Sequence, residues 1–175
     1  ASLSVISSAL QLAGTFTIPA SATVTAPLLF AQGGTIRAAG ALTGSLNINP
    51  HATLSVGGFG ALTQFTVSGS YNQTGTLLVA LTQGSPLDSG SVAVGGNAIV
   101  NGPVQIGGSF VPSSATFTAV SSGTIVYGCD QTVSSGYCLS YATTVLSVQR
   151  GTSCSGTCTP APYFGRFSVI CLNLA

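Results

Sequence analysis

Along nearly the whole chain, apolar and polar side chains alternate with a period of two. The alternation is clear at Thr15-Phe16-Thr17-Ile18, Ala22-Thr23-Val24-Thr25, Ser45-Leu46-Asn47-Ile48, Thr53-Leu54-Ser55-Val56 and Phe65-Thr66-Val67-Ser68. It continues at Thr76-Leu77-Leu78-Val79, Ser91-Val92-Ala93-Val94, Pro103-Val104-Gln105-Ile106, Thr116-Phe117-Thr118-Ala119 and Val145-Leu146-Ser147-Val148. Each run is short, carries β-branched residues and is bounded by Gly, Pro, Asn or Ser, the pattern of a half-buried strand. No window shows an apolar stripe at helical spacing between caps. The nearest case, Leu3 to Leu12, contains Ser4, Val5 and Ser7, which favour strand there too. The chain is expected to be all-β.

Spacing narrows the architecture. A small residue followed by Thr opens a strand at Gly14-Thr15, Gly34-Thr35, Ala52-Thr53 and Gly75-Thr76, so the threonines are separated by 20, 18 and 23 positions. Intermediate strands are turned by Gly33-Gly34, Gly57-Gly58 and Gly95-Gly96. A loose period near 20 with about three short strands per repeat predicts a parallel β-helix whose coils stack on one another. The competing arrangement is a β-sandwich or jelly roll with strands every 8–12 residues. One β domain is expected over residues 1–175, with regular coils over 1–120 and terminal coils bearing cysteine loops over 121–175.

Composition changes what such a fold is for. Of 175 residues only Arg37, Arg150, Arg166, Asp88 and Asp130 are charged, and Lys and Glu are absent, whereas an ordinary domain is about a quarter charged. A formal charge of +1 excludes nucleic acid as a partner, because phosphate binding needs clustered Lys and Arg. The chain is 45% hydrophobic, yet its longest apolar runs, such as Leu77 to Leu81, are strand-sized and far short of the roughly 20 residues of a spanning helix. A membrane barrel would want aromatic girdles, and the chain has five Tyr and no Trp. The recurrence of Val, Leu, Ile and Phe argues against disorder. Starting at Ala1 without any Met, the chain is expected to be a processed, secreted product.

The stretch Leu54 to Gly58, followed by Phe65-Thr66-Val67-Ser68-Gly69-Ser70-Tyr71-Asn72-Gln73-Thr74 and Gly75 to Leu81, resembles the passenger region of bacterial autotransporter-type adhesins. So do Asp88 to Val94, Gly95-Gly96-Asn97-Ala98, Val104-Gln105-Ile106, Thr116 to Val120 and the tail Leu139 to Val148. The similarity runs over residues 14–150. It implies a right-handed parallel β-helix on a secreted or surface protein; it does not imply a catalytic activity. The five cysteines and the lack of a terminal barrel depart from that family's pattern.

Candidate chemistry is sparse. Cys129, Cys138, Cys154, Cys158 and Cys171 indicate an oxidising compartment and structural disulfides. Cys129 and Cys138 flank a polar loop and form the pair best placed to bridge. The odd number leaves one cysteine free or bonded to another chain. Cys154 and Cys158 lack the ligand partners of a metal site, so no metal or cofactor is expected. Asn72-Gln73-Thr74 is an N-glycosylation sequon. Asp88 and Asp130 stand in turn-rich sequence, and His51 follows Pro50 at a turn. Two acids and one His give neither a glycosidase pair by design nor a calcium cluster, so no catalytic residue is assigned. The Thr15/Thr17, Thr23/Thr25 and Thr116/Thr118 pairs suggest an ice- or polysaccharide-matching ladder, but the equivalent positions Thr35/Arg37, Thr53/Ser55 and Thr76/Leu78 interrupt it. The expected function is a structural, self-assembling subunit of a surface fibre, filament or sheath, with glycans as further partners. The alternative is an adhesin-like or carbohydrate- or ice-binding module.

Overall fold

The computed structural model describes residues 2–4, 9–57, 64–82, 88–108, 116–128, 131–151, 159–160 and 170–172. Among them there is no helix, and no helix long and apolar enough to cross a membrane. The strands stack in parallel as a β-solenoid with three faces per coil, not as a sandwich.

The first face is built from β3 (Thr15–Ile18), β5 (Gly34–Ala38), β7 (Ala52–Val56), β10 (Thr76–Thr82) and β14 (Val104–Gly108), each parallel to the next. Its register pairs Thr15 with Thr35, Thr35 with Thr53 and Thr53 with Thr76. The sequence repeat is therefore one coil of the solenoid. A last parallel bridge, Val104 to Val133, extends this face by one rung.

The long strands β4 (Thr23–Ala31) and β6 (Ala41–Ile48) bend between the other two faces, β4 at Ala26-Pro27 and β6 at Gly44. The second face runs from β1 (Ser2–Ser4) through the first halves of β4 and β6 to β8 (Gln64–Val67), β12 (Ser91–Val94) and β15 (Thr116–Ser121). The third runs from β2 (Leu10–Leu12) through their second halves to β9 (Tyr71–Gln73), β13 (Asn97–Val100) and β16 (Thr124–Gly128). A two-residue strand, β11 (Asp88–Ser89), folds back antiparallel on β10.

Alternation along each strand becomes columns along the axis, because a parallel register stacks like on like. Ile36, Leu54, Leu77 and Val104 form one fully inward column, and Leu29, Leu46, Tyr71, Ala98 and Ile125 another. Large and small side chains alternate where needed: the Tyr71 ring sits over Ala98. At the corner entering the first face the coils approach too closely for side chains. A Cβ on Gly102 would lie 1.9 Å from the Gly75 carbonyl oxygen, and one on Gly34 would lie 2.1 Å from that of Gly14.

The stack ends in a reversal. β17 (Tyr137–Tyr141) and β18 (Val145–Arg150) form a hairpin, and β18 lies antiparallel on β15. The pattern at 145–148 reads correctly as strand, but its direction is opposite to that of the coils. Thr143 and Thr144 carbonyls accept from Ile125 and Ser122 N–H groups. The Tyr127 hydroxyl lies 2.5 Å from Ala142 O and 3.0 Å from Val145 O, and its ring packs edge-on against Tyr141 at 4.8 Å. On the third face β19 (Thr159–Pro160) and β20 (Ile170–Leu172) form a second antiparallel pair against β16.

Candidate functional site

With so few ionisable groups, whatever the chain recognises must meet its outer faces or its ends. The outward side chains follow the same register as the core. On the first face, Thr15, Thr35, Thr53 and Thr76 form an unbroken column, one hydroxyl per coil. The adjacent column reads Thr17, Arg37, Ser55, Leu78 and Gln105, so a two-column Thr array does not form. The second face carries Thr23, Ala41, Thr66, Ala93 and Ser121, small side chains that leave a shallow trough beside Gly95 and Ser122. The third carries Phe30, Asn47, Asn72, Ile99 and Val126, with Ile99 37% exposed.

Asn72 thus faces outward, half-buried in mid-strand. The rest of its sequon is engaged in the fold. The Thr74 hydroxyl donates to Ile48 O at 3.0 Å. Gln73 points inward, fully buried, and its Nε2 donates to Gly75 O at 2.8 Å and Pro103 O at 3.1 Å. That amide ties two successive coils at their corner. Beside it the Tyr71 hydroxyl is buried, and burial pushes its pKa far above the usual tyrosine value. Burial likewise raises Tyr127, against the lowering effect of its hydrogen bond to Ala142. The sequence contains both inward residues of β9 but no strand signal for them, because Tyr-Asn-Gln has no β-branched residue.

His51 is exposed in the turn between β6 and β7, and Asp88 lies in β11, paired with Thr82 at the C-terminal end of β10. The fold does not bring them together, and Asp130 lies outside the described residues. No group of three His, Cys, Asp or Glu that could hold a metal occurs among the described residues. Arg37 is exposed on the first face and Arg150 ends β18. Cys138 is disulfide-bonded. Its expected partner Cys129 lies outside the described residues, as do Cys154 and Cys158; Cys171 stands in β20.

The two ends differ. At the N-terminal end Leu3 pairs in register with Val24, heading the inward column Val24, Leu42, Val67 and Val94. Those four are at most 7% exposed, whereas Leu3 is 44% exposed. Leu10, Leu12 and Phe16 head other inward columns and are half-buried. Beside Leu3 a recess of about 210 Å³ opens against Phe16, Ile18 and Val24. Among the described residues nothing covers the cross-section of the core at this end. At the other end Leu139 of β17 is 6% exposed and the hairpin covers the last coil. No protein-family model, curated protein or solved structure matches the chain.

Proposed function

We propose that this chain is a secreted structural protein, a self-assembling subunit of an extracellular surface fibre, filament or sheath, with no enzymatic role. The observation that carries the reading is the open N-terminal end, where Leu3 stands 44% exposed in a column otherwise buried. A solenoid coil is buried by its neighbours, and a lone solenoid blunts its ends with charge, Lys above all. None of the described opening strands β1, β2, β3 and β4 carries a charged side chain to oppose pairing. The disulfide at Cys138 fits an oxidising, extracellular setting. Two carboxylates and one His leave little for acid–base catalysis.

Electron microscopy of the protein at rising concentration, with and without reductant, tests this. Regular filaments are expected; monodisperse monomers throughout would refute it. One observation favours a second reading, an adhesin-like or carbohydrate- or ice-binding module: the column Thr15, Thr35, Thr53, Thr76. A glycan array and an ice-recrystallisation assay on the monomer would detect it, and Thr35→Lys and Thr53→Lys should then abolish the signal.

A further inference from the structure

The strand directions at the two ends match. β18 runs against the coil direction, and β17 runs against β18, so the outermost strand of the second face runs with the coils again. The same double reversal through β20 and β19 restores coil direction on the third face. On the first face the Val133 rung was never reversed. All three outermost segments at the C-terminal end therefore have the polarity of β3, β1 and β2 at the N-terminal end. We infer that the assembly is polar and head-to-tail, the N-terminal edge of one copy continuing the C-terminal edge of the next in parallel register. This rests on the self-assembly reading and specifies its joint.

The backbone groups needed are in place. Thr35 N–H donates to Gly14 O and Ala39 N–H to Ile18 O. The carbonyls of Gly14 and Ile18 thus face β5, and the N–H and C=O of Thr15 and Thr17 point to the open edge. In the hairpin, Ala142 N–H donates to Val145 O and Gly151 N–H to Gly136 O. By alternation, the N–H and C=O of Leu139 and Tyr141 point away from β18 to the outer edge. Among the described residues no strand occupies either edge. Pro160 in β19 removes a donor on the third face, which places the joint chiefly on β17 and the Val133 rung.

Charge agrees with this occupant. Neither β1, β2 and β3 nor β17 and β19 contain a charged residue, so these edge strands desolvate no charge of their own on pairing. The recess beside Leu3 is mainly apolar in its lining, with Ser2, Thr17 and Thr23 the polar members, and lies at the edge β17 would cover. A coil of some 20 residues at about 3.3 Å per residue has an end face of only a few hundred Å². One joint therefore buries less than the roughly 1,200 Å² of a stable dimer, and assembly should be reversible and concentration-dependent.

Complementary blocking decides the geometry. Leu3→Lys places a charge in the open N-terminal column, and Ser140→Lys places one on the outer strand of the hairpin. Circular dichroism establishes that each is folded; Gln11→Lys and Tyr141→Pro replace either that is not. Tyr141→Pro removes an outward N–H and leaves the β17–β18 hydrogen bonds intact, while also removing the ring contact with Tyr127. In sedimentation velocity each blocked protein alone should remain a monomer, and an equimolar mixture should double in mass and stop there. Dimers of the Ser140→Lys protein alone would mean head-to-head pairing and overturn the inference. So would a mixture that stays monomeric while the unmodified chain assembles, or blocked proteins that still polymerise; both leave self-assembly itself standing. An unmodified chain that never associates removes self-assembly and the joint together.

Discussion

Replacing Gly102 by Ala should test the stacking at its tightest point. The φ of Gly102 is not in the left-handed region, so the residue itself tolerates a side chain. The obstacle is the neighbouring coil: the new Cβ would lie 1.9 Å from Gly75 O and 2.8 Å from Thr74 O, where ordinary contact begins beyond 3.4 Å. Backbone oxygen has no rotamer with which to move away, so the coils must part. Such overpacking costs about 1–3 kcal/mol, against a gain of about 0.4–1 kcal/mol from the stiffer unfolded chain. The clash is deep, so a net loss of about 2 kcal/mol is expected. For a chain of this length that lowers Tm by about 4–8 °C. Gly123→Ala is the control, since its Cβ meets nothing within 4 Å and its φ is ordinary; it should raise Tm by about 1–4 °C. Differential scanning calorimetry on both proteins gives the comparison. A Gly102→Ala protein as stable as its Gly123→Ala counterpart would refute the close stacking of these two coils.

Leu54→Ala, in a fully buried column, should cost about 2–5 kcal/mol, and Leu78→Ala, one strand over on the outer face, under about 1 kcal/mol; urea denaturation separates them. Gln73→Leu removes the side-chain donor to the Gly75 carbonyl and leaves the Pro103 carbonyl with the Leu77 N–H alone; it should cost about 1–3 kcal/mol, with the loss of protection in hydrogen exchange centred on residues 73–75 and 101–104. Tyr71 keeps its proton when folded but ionises near pH 10.0 when unfolded. Above that pH the native state binds more protons than the unfolded one, so stability falls by about 1.4 kcal/mol per pH unit. Denaturation curves across pH, with phenolate absorbance at high pH, check this.

The fold was legible where the outward pattern repeats. Thr15, Thr35, Thr53 and Thr76 mark one position per coil because a parallel register aligns equivalent residues; the spacing pointed to coils but is close to that of a sandwich, and the parallel pairing decides between them. The reversal at β17 and β18 was not legible. Val145-Leu146-Ser147-Val148 alternates identically whether it runs with or against its neighbour; the deciding contacts, Thr143 and Thr144 to Ile125 and Ser122, are long-range. Gln73 was hidden for a related reason. A buried glutamine looks like a surface residue until the register turns it inward between two carbonyls. The open end was visible only as missing lysine, and it took the exposure of Leu3 to locate it.

The coil lengths hold a further consequence. Between the first and second faces the connection shrinks to Ala39-Gly40 after β5 and spans 57–63 after β7, 83–90 after β10, with β11 in it, and 109–115 after β14. From β4 to β16 the connections at the other two corners never exceed three residues. Nearly all variation in coil length is therefore absorbed along one ridge, while register on all three faces persists. That ridge is where the chain tolerates grafted sequence. Ala39-Gly40 is buried and β11 pairs with β10, so an epitope or peptide tag belongs in the connection after β7 or after β14, where the flanking ladders fix its axial position and make the scaffold a ruler graduated in coils.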